Sequence, residues 1–283
     1  MVVISIEVEG KVKNLYMDNE LYNRIQTTVR PKIHKKDNDW VWIVDGGEGT
    51  GKSVFTMQLA KVLDPTFCLE RVCMTPDDFT KAVIKAKKGE AVVFDEGFTG
   101  LSSRASLSEI NRLIVSLMME MRQKNLFVVI VMPTIFLLDR YVALFRAKGL
   151  FHIYTKSGTR GRWVYFNNKN KKLLYILGKK LFSYAKPRSK FRGRFRDQYT
   201  INEQEYRNKK AEALIKKSRT TRSETYKYQR DLLFWILNKK LNVNQIQISK
   251  YCKQLGFNIE RNTISEVITE KNVQITAKEE AET

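Results

Sequence analysis

Four glycines at 46, 47, 49 and 51, followed by Lys52 and Ser53 in the order G-G-E-G-T-G-K-S, restrict this chain more than any other feature of it. Such a turn closes around an anion only if a strand delivers it and a helix receives it. The apolar run W-V-W-I-V-D at 40–45 supplies the strand, and the amphipathic stretch 54–63 supplies the helix. The glycines let backbone N–H groups turn inward, while the positive end of the helix dipole points at the same place. The octapeptide reads as a Walker A phosphate loop, with Gly46, Gly47, Glu48, Gly49, Thr50, Gly51, Lys52 and Ser53 as nucleotide-binding residues. Lys52 is expected to reach the outer phosphates of ATP, and Ser53 to offer its hydroxyl to Mg2+.

Strands and helices alternate from there on. Residues 67–74 read as a strand, and T-P-D-D at 75–78 opens a helix with Pro at its first position and acids in its first turn. A-V-V-F at 91–94 is a buried strand ending at Asp95 and Glu96; 107–124 carries apolar residues at helical spacing; 126–132 is a fully apolar strand. A helix over 137–147 and a strand over 151–155 follow, after an amino-terminal strand or hairpin with a short helix at 19–28. This rhythm predicts an α/β core with a mostly parallel sheet covered on both faces. Asp95 is then the second metal-holding residue, and Glu96 beside it is placed to orient or deprotonate water, which favours an ATP hydrolase over a kinase.

Charge separates the chain into parts. The 283 residues carry +21 with a pI near 9.8, which calls for a polyanionic partner, and nucleic acid is the default. Between 151 and 222 there are 21 Lys or Arg against four acids, so the basic surface is expected there. Residues 179–196 interleave Phe182, Tyr184, Phe191 and Phe195 with cations, a pattern suited to phosphate contact and base stacking. The DNA-contacting set is therefore read as Arg160, Arg162, Lys186, Arg188, Lys190, Arg192, Arg194 and Arg196. Residues 163–166 and 173–177 read as a hairpin. Helices at 228–239, 244–255 and 261–271 form a small helix-turn-helix or winged-helix-like module, with Arg261, Asn262 and Thr263 opening its recognition helix. The expected organisation is a core at 1–178, a basic connector at 179–225, the helical module at 226–272 and an acidic tail at 273–283. Three cysteines at no metal-ligand spacing argue against zinc, and no apolar run is long enough to span a bilayer.

The segments D-E-G-F-T-G-L-S-S-R-A-S (95–106), M-M-E-M-R-Q-K-N, L-F-V-V-I-V-M-P-T and F-L-L-D-R-Y-V-A-L-F-R-A-K (136–148) resemble the zonula-occludens-toxin-like ATPases of the FtsK/HerA group. The likeness covers about residues 38–155 and is most specific in M-R-Q-K-N and L-D-R-Y-V-A-L-F-R-A-K. It implies a RecA-like P-loop NTPase core that assembles into a homo-oligomeric ring, with ATP between neighbours and DNA, double-stranded, in the channel. It also implies an arginine supplied across an interface, for which Arg140 and Arg146 stand in the matching segment with Arg104 and Arg122 in reserve. Motors of that group sense the γ-phosphate with a Gln or Asn after the strand that follows the acidic one; here that strand ends Met132-Pro133-Thr134, so Thr134 takes the place. With no membrane anchor expected, the resemblance points to packaging or translocation of viral or mobile-element DNA in the cytoplasm, beside a portal or other viral protein. A nucleotide-switched DNA-binding regulator of the partition or transposition type is the alternative.

Overall fold

The computed structural model describes residues 2–8, 10–95, 111–112, 114–119, 121–218 and 222–282, with the backbone alone at 214–218, 222–225 and 274–282. The chain divides into two units, Met1–Ala213 and Leu214–Thr283. A hairpin of β1 (Val2–Val8) and β2 (Lys11–Met17) opens the first unit as a two-stranded sheet of its own. A helical rod follows, α1 (Asn19–Arg24) passing through a π-helical stretch at Ile25–Val29 into α2 (Arg30–His34). Asp18 starts it by accepting from the N–H groups of Glu20 and Leu21, and Leu21, Ile25, Val29 and Ile33, each four residues apart, bury one face.

The main sheet is built from β3 (Trp40–Gly46), β4 (Val72–Cys73), β5 (Ala91–Phe94), β6 (Phe127–Met132), β7 (Ala147–Lys156), β8 (Thr159–Asn167) and β9 (Phe191–Arg194). Their spatial order is β4-β5-β6-β3-β7-β8-β9, with β4 to β7 and β3 parallel to their neighbours and β8 and β9 antiparallel. This is the α/β, mostly parallel sheet the sequence predicts. α3 (Lys52–Leu63), α4 (Pro76–Lys85), the helical residues 111–112 and 114–119 (α5), α6 (Asn168–Gly178) and α7 (Glu203–Ser218) surround it.

Alternation along each strand decides which layer a side chain joins. Trp42, Val44, Val129, Val131, Phe151 and Trp163 pack with α3, the amino-terminal hairpin and the rod. Val41, Ile43, Val92, Phe94, Ile130 and Phe166 pack with α4, α5 and α6. The start of α4 follows its sequence closely: the Thr75 hydroxyl accepts from the N–H of Asp78 at 3.2 Å, and Pro76 occupies the first turn. Lys124 of the M-R-Q-K-N stretch donates to the carbonyls of Val83 and Ile84 near the carboxyl end of α4.

Four expectations about the elements of the first unit need correction. The strand expected at 67–74 is reduced to Val72–Cys73, because 69–71 form a 3-10 turn, and Arg71 donates to Asp64 at 2.7 Å. The hairpin expected from 163–166 and 173–177 is absent: β8 pairs with β7, and 168–178 is α6, with Asn167 accepting from the N–H of Asn170 and Lys171, Leu174, Tyr175 and Gly178 on its buried face. The helix expected over 137–147 is a 3-10 turn at Ile135–Leu137 and a π-helical stretch at Val142–Arg146, with β7 already begun at Ala147. Residues 179–213 are not a connector, since β9 extends the sheet and Ile201, Tyr206 and Ala213 are buried in the first unit's core.

The second unit comprises the rest of α7, then α8 (Arg222–Lys239), α9 (Gln245–Gln254) and α10 (Arg261–Glu282). Phe234, Ile248, Ile264, Val267 and Ile268 form its core, and Gly256 turns the chain after α9 at φ +86. Leu233, Ile246 and Leu255 are exposed. α10 continues to Glu282 through the residues read as an acidic tail, in keeping with the good helix formers there.

Candidate nucleotide site and basic surface

The 46–53 turn leaves the carboxyl end of β3, and Asp95 follows the carboxyl end of β5. β6 lies between them; Asp45 pairs with Met132 and Phe94 with Ile130, so Asp95 stops within one residue of Asp45's level. Two strand spacings separate them, roughly 10 Å, close enough for one metal–phosphate unit to meet both. Gly46, Gly49 and Gly51 have φ of +142°, +67° and +93°. A Cβ at Gly46 would run into the carbonyl oxygen of Ile153 on β7, and one at Gly51 would stand 3.1 Å from the ring of Phe195. Only glycine admits this path.

No side chain caps the amino end of α3, which leaves its first N–H groups facing the turn. Lys52 bends back over the turn, its Nζ donating to the carbonyls of Gly46 at 2.9 Å and Gly47 at 2.6 Å. Thr50 is buried and donates to Gly47, whereas Glu48 is exposed at the rim; Ser53 is half-buried one residue into α3. A glycine turn with positive φ at 46, 49 and 51, a lysine and a hydroxyl at a helix start and a buried carboxylate two strand spacings away fit ATP with Mg2+. Glu96, expected to be catalytic, lies outside the described residues, as does Arg104.

A polar cluster that sequence reasoning missed surrounds the start of the turn. Asp45, fully buried, accepts from the backbone N–H of Ile135 at 2.8 Å, from the hydroxyl of Tyr184 and, at 2.8 Å, pairs with Nδ1 of His152. The Tyr184 hydroxyl also meets Thr134 Oγ1 at 2.8 Å, and its ring stacks on His152 with centroids 3.9 Å apart. Burial, and after it the charge of Asp45, holds the Tyr184 phenol above its ordinary pKa, so it remains a donor. Thr134 thus stands at the loop end of the sheet, tied through one tyrosine to the residue that opens the loop. Asp95 accepts from the hydroxyl of Tyr206 on α7 at 2.7 Å. Asp45 was visible as the residue before Gly46; Tyr184 was read only as one of the aromatics of 179–196, and His152 and Tyr206 belong to none of the quoted motifs. Each is brought to the site by the fold alone.

The arginines expected to act across an interface separate sharply. Arg146 is a correction: it is buried, paired with Asp39 and donating to the carbonyl of Met118 at 2.6 Å. It also precedes β7, whose Ala147 pairs with Val41 near the start of β3, so it sits at the end of the sheet opposite the loop. A neighbour cannot share a guanidinium committed in this way. Arg140 and Arg122 are exposed.

The basic residues also divide. Arg162 stands directly opposite Arg194, and Arg192 opposite Val164, so three guanidinium groups share one face of the β8–β9 edge. Lys186, Arg188 and Lys190 are exposed beside them, and Arg196 lies 4.0 Å above the ring of Tyr16. Arg160 is elsewhere, its Nη2 3.7 Å from where a Cβ on Gly49 would be. The interleaved aromatics make ring contacts within the unit, although Phe182 stays 57% exposed. Phe191 packs edge-on to Trp163, Phe195 on Phe55, Tyr184 on His152 and Phe182 edge-on to Phe136. In the second unit Arg261, Asn262 and Thr263 are exposed at the start of α10.

No family model matches the chain, and no curated protein or solved structure matches it. Among the described residues no helix is long and apolar enough to cross a membrane, and no group of His, Cys, Asp or Glu is arranged to hold a metal by itself.

Proposed function

We propose that this chain is a Mg-ATP-dependent motor ATPase that binds DNA and packages or translocates it, with a RecA-like core working as a homo-oligomer in the cytoplasm. The observation that carries the reading is the common exit of the 46–53 turn and Asp95 at one end of a parallel sheet, with a single strand between them. ATP supplies a phosphoryl group for transfer to water, and Mg2+ neutralises charge on its outer phosphates. The turn and the start of α3 would hold the phosphates, Ser53 and Asp95 the metal, and Lys52 the outer phosphates once it leaves the Gly46 and Gly47 carbonyls. Glu96 would orient or deprotonate the attacking water, and Thr134 would report the γ-phosphate to Asp45 through Tyr184. Arg140 remains the candidate for an arginine supplied in trans.

Turnover of ATP by the purified chain is expected to rise with any long duplex, and Glu96→Gln is expected to bind ATP normally while losing at least about 100-fold in kcat. Normal turnover by Glu96→Gln would remove that residue from the chemistry. A second reading, a nucleotide-switched regulator, is favoured by the exposed Arg261, Asn262 and Thr263 at a helix start; stimulation by one sequence and not by others would select it. The β8–β9 edge supports the DNA contact. Changing Arg162, Arg192 and Arg194 together to Gln is expected to weaken binding equally for all sequences and to lower the slope of log K against log salt by about 3. An unchanged slope would move the contact surface elsewhere.

A further inference from the structure

A cleft of about 400 Å³ opens at the end of the sheet opposite the phosphate loop, where the rod, the start of β3 and the junction of β8 with α6 meet. Its volume lies in the range of small-ligand sites. Arg24, Lys32, Lys148 and Lys169 converge on it, and the one acid in its wall, Asp39, is already paired with Arg146. The cations are mounted. Arg24 lies 5.1 Å above the ring of Tyr165 and Lys32 5.3 Å from that of Trp40, and both rings also line the cleft. Nε of Arg24 is buried with no hydrogen-bond partner among the described residues.

The amino end of α6 enters the same wall through Asn168 and Lys169. Its first turn holds no acid and does hold Lys169, an arrangement that opposes the helix dipole unless an anion lies between. Burial lowers the pKa of Lys148; Asp39 opposes that shift, and Arg146, Lys32 and Lys172 add to it. Four cations without a free acid and a helix start match a nucleotide phosphate. Sequence charge gave no hint of it, because Arg24, Lys32 and Lys148 come from separate places outside the basic segment and only Lys169 lies within it.

We propose that this cleft is a second anion site, distinct from the 46–53 turn, that takes a nucleotide phosphate, either of a free mononucleotide or of a strand end. The test uses the full chain with Lys52→Ala, so that the turn no longer competes. Calorimetric titration with AMP and with a 5′-phosphorylated dithymidine is compared before and after adding Lys32→Glu and Lys169→Glu, both at exposed positions, with thermal melts to verify folding. Saturable one-to-one binding that weakens at least about tenfold on charge reversal is expected. Tighter binding of AMP identifies a free nucleotide, and tighter binding of the dinucleotide identifies a strand end. Affinity within about twofold of the parent in the folded reversed protein, or no saturable binding of either probe by the parent, would overturn the proposal. Neither result bears on the phosphate loop, which is disabled throughout.

Discussion

Lys52→Ala is expected to lose ATP binding by at least about 100-fold. The side chain is the only ammonium placed by the motif, and its two present partners are the carbonyls of Gly46 and Gly47, which belong to the turn itself. Exchange of those neutral acceptors for charged phosphate oxygens strengthens each hydrogen bond, with about 3 kcal/mol expected for two such contacts. The folded state should change little, because the lost bonds are partly exposed. Equilibrium binding of a fluorescent ATP analogue, with a thermal melt alongside, measures both. An affinity within about threefold of the parent would show that the turn does not hold a triphosphate in the proposed way.

The largest structural effect is expected at Arg146. Removal of its guanidinium by Arg146→Ala leaves the Asp39 carboxylate 5% exposed without its partner, which typically costs about 3–5 kcal/mol. For a unit of this size that is a fall of about 10 °C in Tm. The double change Asp39→Leu with Arg146→Met removes both charges and should recover most of the loss, since a buried ion pair is often replaceable by apolar groups of similar volume. A single variant as stable as the parent would mean that Asp39 finds water through the adjoining cleft. Because the fall concerns folding, it should appear equally with and without nucleotide, unlike the defect of a residue acting on a neighbour's ATP.

Much of the first unit was legible in the chain. The 40–45 strand, the glycine turn, the buried strand ending at Asp95 and the apolar strand after it all carry local patterns, and local pattern is what periodicity reports. What was illegible is non-local. Residues 191–195 alternate basic and aromatic because one face of β9 meets solvent and the other meets Trp163; composition alone reads the same alternation as a nucleic-acid platform. Residues 173–177 look like a strand by content, yet the cap at Asn167 and the burial of positions 171, 174, 175 and 178 make a helix. Tyr206 reaches Asp95 across 111 positions, and only the closed fold brings it there.

The two rims of the main sheet differ in kind. One ends in β4, just two residues long, and offers almost no ladder for another strand to join. The other ends in β9, a four-residue strand carrying the exposed Arg192 and Arg194. Like charges of a second copy would meet there and repel, which keeps the rim solitary. Neutralising those arginines to test DNA contact therefore also lifts a barrier to filament growth, and light scattering should accompany any such measurement.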